Sequence, residues 1–288
     1  MPTVLILGSL HYDIMVEADH LPRVDETAVG TRWYPKFGGK GGNQAVAVAT
    51  AGVASRMAGA VGADEFGRFL RQGLQAAGVD DRFVVECADA GSGMSVAIMD
   101  AAGDYAATIV SGANLRIEAA DLAAAALWQD VGLLVLQNEV AEAANIAAAS
   151  EARRRGIRTV LNAAPWRDLS REMADLVDIL VVNAVEAEMM GAGKICCLHS
   201  AADAAKTLSD RFDAVIVTAG AQGLAAWTPE DALLLVPAEP VKVVSSHGAG
   251  DAFIGTLAAE LACGAGFEPA CRAASHAAAR HVSAISHP

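Results

Sequence analysis

Cysteine is scarce and poorly spaced in this chain. The five residues, Cys87, Cys196, Cys197, Cys263 and Cys271, are odd in number and include no CxxC pair. Neither a disulfide framework nor a structural zinc site is expected. The thiols read as small buried side chains in a reducing compartment. Positive charge is also short: 21 Lys and Arg stand against 34 Asp and Glu, for a net charge of −13. That balance speaks against nonspecific binding to nucleic acid or an anionic membrane, which needs a positive field. An anionic substrate stays possible, because a local site can oppose the global sign. No uncharged apolar run reaches the ~18 to 20 residues of a spanning helix. The apolar stretch Val4–Leu7 has no basic region before it and no cleavage site after it, so no signal peptide is read. The expectation is a soluble, cytoplasmic protein. Walker A, Gly-x-Gly-x-x-Gly and His-Glu-x-x-His patterns are absent, and His281 and His287 show no metal spacing.

What remains is a chain of 288 residues, 53% hydrophobic, long enough for a full core in one large α/β domain or two small ones. Short apolar runs alternate with alanine-rich stretches. The expected strands are Val4–Leu7, Arg56–Ala60, Gly132–Leu136, Thr159–Leu161, Ile179–Val182 and Ala214–Val217. The expected helices are Asn43–Ala51, Phe66–Ala76, Ala141–Arg155, Ala201–Arg211, Asp251–Cys263 and Pro269–Ser283. Such alternation predicts a mostly parallel sheet covered on both faces. Two segments break it. Tyr12–Phe37 lacks a helical period and contains Pro22 and Pro35. Gly93–Ile109 reads as a hairpin, Met94–Met99 and Tyr105–Ile109, around a turn at Asp100–Asp104. Together they make a small β lid, or else two ordinary surface insertions. The simplest organisation is one body over 1–288, with lid segments at about 12–37 and 93–109 inserted in it.

Two segments carry chemistry. Gly248-Ala249-Gly250-Asp251-Ala252-Phe253 follows a strand-like run, Val241–Val244, and opens a helix. Small residues allow close backbone approach, and a helix start offers free N–H groups to a negative charge. A carboxylate there is placed to accept a hydroxyl proton. The alternative is that Asp251 only caps the helix. The second segment, Phe37-Gly38-Gly39-Lys40-Gly41-Gly42-Asn43-Gln44, also opens a helix. It looks like a glycine loop folded round a polyhydroxylated ligand, or a plain flexible turn.

At this separation, the two segments resemble the two signatures of the ribokinase-like (PfkB) carbohydrate kinases, over Gly38–Gly52 and Ser245–Ala258. The resemblance covers nearly the whole chain. Gly8-Ser9-Leu10-His11-Tyr12-Asp13 is similar to that family's first strand and sugar-binding aspartate. Gln137-Asn138-Glu139 sits at its polar strand end. Asn183-Ala184-Val185-Glu186 is similar to its Asn-x-x-Glu motif, and Thr218-Ala219-Gly220-Ala221-Gln222-Gly223 to its nucleotide loop. The resemblance implies a three-layer α/β/α ribokinase-like fold with a β lid, and ATP-dependent phosphorylation of a sugar hydroxyl. Asp251 would be the general base, and the amides of Gly248, Ala249 and Gly250 would hold the transition-state anion. Asp13, Gly39, Lys40, Gly42, Asn43 and Glu139 would line the substrate end, where Lys40 reads equally as a solvated lysine. Asn183, Thr218, Gly220 and Gly223 would bind nucleotide. His276 falls in the helix of the adenine pocket, or is a plain helix-surface histidine. Glu186 would organise Mg²⁺, largely through water. A homodimer through the lid strands is implied as well.

The chain departs from that family at one place. Ser245-Ser246 stands where many members have Asp-Thr, with His247 in the variable position, and Pro288 comes soon after the last expected helix. Activation by a monovalent cation is therefore not expected. Gly-Gly-Lys-Gly-x-Asn followed by Gln-Ala-Val-Ala favours a ribose-like acceptor. The alternatives are a nucleoside kinase of the same fold, for example of pseudouridine type with His11-Tyr12 facing a ring, and a sugar sensor that binds without turnover.

Overall fold

The computed structural model describes residues 2–100, 105–230 and 232–284. Among them, nine strands form the body sheet: β1 (Thr3–Leu7), β4 (Ala54–Gly62), β5 (Asp80–Cys87), β8 (Val131–Gln137), β9 (Arg158–Asn162), β10 (Ile179–Asn183), β11 (Ala214–Thr218), β12 (Gly223–Thr228) and β13 (Ala232–Pro237). Their order is β13-β12-β11-β10-β9-β8-β1-β4-β5. From β5 to β11 every pairing is parallel, and β12 and β13 close one edge antiparallel. The helices are α1 (Lys40–Thr50), α2 (Glu65–Ala76), α3 (Ala119–Leu122), α4 (Glu142–Arg154), α5 (Arg171–Asp175), α6 (Ala184–Met189), α7 (Leu198–Leu208), α8 (Ala249–Ala262) and α9 (Phe267–Ser283).

Continuous apolar strands follow from burial on both faces. In β1, Val4 and Ile6 face a core built with α1, α2, α8 and α9, while Leu5 and Leu7 face one built with α3 to α7. The layers are therefore α/β/α. All six strands and six helices expected from the sequence are present, with ends shifted by a few residues. Strand β5 and the β12–β13 pair carry no expectation. They lie toward the sheet's two edges, where polar and apolar residues mix.

A second sheet has the order β3-β2-β6-β7, with β2 (His11–Ala18), β3 (Gly30–Gly38), β6 (Met94–Met99) and β7 (Tyr105–Val110). Both irregular segments thus meet in one four-stranded layer, joined where β2 runs parallel to β6. Residues 101–104 of the hairpin turn lie outside the described residues, as does the chain end at Pro288. The layer is anchored at its root. The Tyr12 ring stacks on Phe66 of α2 with centroids 4.0 Å apart, and Phe69 meets it edge-on at 4.8 Å.

Two expectations change. Val241–Val244 is not a strand but an exposed irregular stretch, with Val243 at 59% exposure. Pro240 and Lys242 interrupt the apolar run, and its first sheet-like bond is to a helix end, Val244 N to Val282 O at 2.8 Å. The glycine run after Phe37 is not a loop, because α1 starts at Lys40 and takes Gly41 and Gly42 into its first turn. Glycine is needed there for packing. A Cβ on Gly41 would stand 2.7 Å from the backbone of Gly8 and Ser9, so this helix crosses β1 backbone to backbone.

Candidate active site

The chemistry converges at the carboxyl ends of the parallel strands, where ligands bind in open α/β sheets. Helix α8 enters from Gly248, which takes φ +81 and supplies no side-chain cap. Ala249 N donates weakly to Ser246 O at 3.3 Å, and the neighbouring N–H groups of the first turn are left to solvent or to a ligand. Asp251 sits on the first turn and does not cap the helix. Its Oδ1 accepts from Gln44 Nε2 at 3.0 Å and its Oδ2 from Asn43 Nδ2 at 3.2 Å. The partners are more than 200 residues apart in sequence. They meet because α1 packs tightly on α8: a Cβ on Gly255 would lie 2.3 Å from Ala47 Cβ. Asp251 is 9% exposed. Burial pushes its carboxyl above the ordinary carboxylate range, opposed by the Lys40 charge and the two amide donors.

Behind Asp251 the polar chain continues inward. Gln44 Oε1 accepts from Gln137 Nε2 at 2.8 Å, and the Gln137 carbonyl accepts from Asn145 Nδ2 at 2.8 Å. Glu139, next along from β8, accepts from the Lys40 backbone N–H at 2.9 Å and from the Ser9 hydroxyl. It therefore serves the N-terminus of α1, and Gly39 and Gly42 lie buried in the same corner. His11 Nδ1 is 4.0 Å from Glu139 Oε2.

The lid contributes from above. Asp13 on β2 is flanked in register by Lys36 on β3 and Ser95 on β6. Ser95 Oγ donates to Asp13 Oδ1 at 2.5 Å. Burial raises the Asp13 carboxyl, while Ser95 and the nearby His11, His247 and Lys36 oppose the rise. Tyr12 points to the other face of β2, onto α2, so it does not face the cleft as a ring-stacking residue. A cavity of about 910 Å³ joins these parts, lined by Lys36, Asn43, His247, Gly248, Asp251 and His276 among others.

The remaining predicted residues form a second group. Asn183 and Thr218 are direct neighbours on β10 and β11. Asn183 and Glu186 make a reciprocal cap of α6: Asn183 Oδ1 accepts from Glu186 N at 2.9 Å, and Glu186 Oε2 from Asn183 N at 2.8 Å. Burial raises Glu186, against that N–H bond and the charge of Lys40. Lys40 thus acts on both Asp251 and Glu186. Gly220 and Gly223 bracket the turn between β11 and β12. The Asp251 side chain bonds to Asn43 and Gln44 and not to them. His276 Nδ1 is 2.9 Å from Glu239, a partner with no sequence signal. Ser245 Oγ accepts from His247 N at 3.3 Å. The sequence reading assigns no role to Gln44, Gln137 or Ser95. Gln44 was within reach, since it follows Asn43 on the same helix turn.

The donor set bears on magnesium. Among the described residues no three His, Cys, Asp or Glu side chains come together as a cage, and one oxygen of Glu186 is already engaged. Such a donor set would suit an Mg²⁺ that keeps most of its waters, which Glu186 would hold through water.

Known proteins resemble this chain over nearly its whole length. The profile of the pfkB family carbohydrate kinases matches residues 1–286. Mouse ribokinase (Mus musculus) is 33% identical over 263 residues, 90% of this chain and 81% of its own. Ribokinase of Bacillus subtilis (strain 168) is 32% identical over 283 residues, 98% of this chain and 93% of its own. The solved structure of Arabidopsis thaliana ribokinase complexed with ribose and ATP superposes with a TM-score of 0.91 at 25% identity, covering 99% of this chain and 94% of that one. The chain belongs to the pfkB family of carbohydrate kinases, and is an ATP-dependent enzyme that phosphorylates a hydroxyl of a sugar or nucleoside.

Proposed function

We propose that this kinase transfers the γ-phosphoryl group of ATP to a hydroxyl of ribose or a related pentose, with Asp251 as general base. One observation carries the reading: a buried carboxylate, held by two amides, stands on the first turn of a helix whose leading N–H groups have no side-chain cap. Asp251 takes the hydroxyl proton as the oxygen attacks. The amides of Gly248, Ala249 and Gly250 meet the charge that builds on the moving phosphoryl group. Lys40 adds a cation whose charge acts on both Asp251 and Glu186. Asp13, Asn43 and Glu139 bind acceptor hydroxyls, because carboxylates accept from two of them and an amide both donates and accepts. Asn183, Thr218, Gly220, Gly223 and His276 hold the nucleotide. Magnesium, when bound, neutralises the phosphate charge. The lid excludes water, so ATP is not hydrolysed unproductively. Tyr12 packs on α2 and so does not face an acceptor ring.

ATP consumption with a panel of pentoses, hexoses and nucleosides tests this. Ribose or a close pentose should turn over fastest. Preference for a nucleoside would move the assignment within the family, and no turnover with any acceptor would favour a sensor. Asp13→Ala and Asn43→Ala should each raise the acceptor KM and leave the ATP KM nearly unchanged. Each lost bond in a closed site costs ~1 to 3 kcal/mol, about 5- to 150-fold. Loss of ATP affinity with acceptor affinity intact would mean the two ends of the cleft are reversed.

The lid also supports a homodimer. Trp33 on the edge strand β3 and Ile109 and Val110 on the opposite edge strand β7 are 64%, 57% and 53% exposed, and large exposed apolar side chains on unpaired edges of a small sheet offer an interaction surface. Sedimentation of the wild type should show a dimer, and Trp33→Glu should shift it to monomer. A monomeric wild type would end this part of the proposal.

A further inference from the structure

We infer that His281, in the last turn of α9, is a positioning residue that sets the shape of the anion-binding turn at Gly248. The inference rests on the reading of the α8 N-terminus given above. The approach to that turn is poorly supported. Residues 241–247 are exposed and carry no regular structure. Apart from the local turn bond from Ala249 N to Ser246 O at 3.3 Å, the hydrogen bonds that tie them to the rest of the described residues go to the end of α9. Val244 N and Ser245 N both donate to Val282 O, at 2.8 and 3.3 Å. The third tie is His281 Nε2 to His247 O, at 2.9 Å, with the ring nitrogen as donor.

The third bond falls at the critical peptide. His247 C=O and Gly248 N–H belong to one planar trans unit, so they point in opposite directions. Fixing the carbonyl against His281 therefore fixes the direction of the Gly248 N–H, the first donor of the anion turn. The ring also lies directly against Gly248. A Cβ built there would be 2.9 Å from His281 Nε2 and 3.4 Å from Cε1. Together with φ +81, this leaves room for glycine alone, and the imidazole blocks the turn from relaxing toward α9. Oriented donors stabilise a transition state only when already aimed at it. Losing the latch should thus slow the chemical step more than it weakens ground-state binding.

The test compares His281→Ala and His281→Gln with Asp251→Asn in one steady-state assay. Glutamine keeps an N–H donor close to the position of Nε2. His281→Ala should lower kcat roughly tenfold, less than the 10²- to 10³-fold cost of deleting an oxyanion donor outright. Acceptor KM and nucleotide affinity should stay within about twofold of wild type under the same logic. His281→Gln should restore most of kcat. A general loss of structure would instead move KM, nucleotide affinity and unfolding midpoint together, and glutamine would not rescue it. If Asp251→Asn is inactive while His281→Ala keeps at least half of wild-type kcat, the latch is wrong and the site stands. If His281→Gln is as slow as His281→Ala, the hydrogen bond is not the latch. If Asp251→Asn turns over normally, the reading of the site itself has failed.

Discussion

Asp251→Asn is expected to reduce turnover by about 10² to 10⁴, the usual contribution of a general base, while nucleotide affinity stays close to wild type. Asparagine fills the same space but cannot take a proton. It also presents an NH₂ group where the carboxylate faces two donors, Gln44 Nε2 and Asn43 Nδ2, so one of those amides must turn away. The nucleotide-binding residues proposed on β10, β11 and α9 do not touch Asp251, and the change should leave them alone. Steady-state kinetics gives the first quantity and nucleotide titration the second. A kcat within a few-fold of wild type would remove Asp251 from the role of base. A matching loss of nucleotide affinity would show that the carboxylate supports the whole cleft rather than the reacting hydroxyl.

The residues that tell this story differ in how visible they are from sequence. Strands β1, β8, β10 and β11 announce themselves, because burial on both faces demands unbroken apolar runs such as Leu133–Leu136. The lid strand β2 does not, since His11-Tyr12-Asp13-Ile14 serves a ligand cleft on one face and α2 on the other. Its pairing with β6, some 80 positions away, has no local signature. Val241–Val244 shows the opposite failure: four residues of strand-like composition lie exposed because no strand is beside them. Asp251 and Asn43 are legible from the glycines around them. Their mutual contact is not, as it depends on how closely α1 and α8 cross, and that in turn depends on small residues at Gly255 and Ala47. For the same reason Gln44 passes as an ordinary helix residue in the sequence, although it is the innermost ligand of the proposed base.

Gln44→Met should both destabilise the protein and shift the pH at which it works. Methionine matches glutamine in length and shape, so packing is largely kept, but both hydrogen bonds disappear. Asp251 Oδ1 and Gln137 Nε2 are then left without their partners in a site where Gln44 itself is 0% exposed. Each orphaned buried group costs about 1 to 3 kcal/mol, and more where it is charged, so unfolding free energy should fall by roughly 3 kcal/mol. The kinetic effect has a definite sign. Burial already holds the Asp251 carboxyl above its ordinary value, and the Gln44 amide is one of the groups that oppose the rise. Removing that donor lets the value climb further. The working base is the ionised form, so activity is lost as pH falls through this value, and the variant should lose it at a higher pH than wild type. A hydrogen bond to a charged group is worth about 1.5 to 3 kcal/mol, so the acid limb of kcat/KM should move clearly to higher pH. Stability follows the same titration. A carboxyl raised in the folded state favours folding at pH below its ordinary value and opposes it once ionised. The stability deficit of Gln44→Met should accordingly be largest near neutral pH and shrink as the carboxyl becomes protonated. Denaturant unfolding at several pH values, beside a pH–rate profile, measures both. An acid limb that stays in place while stability drops would mean that the group titrating in the rate profile is not Asp251.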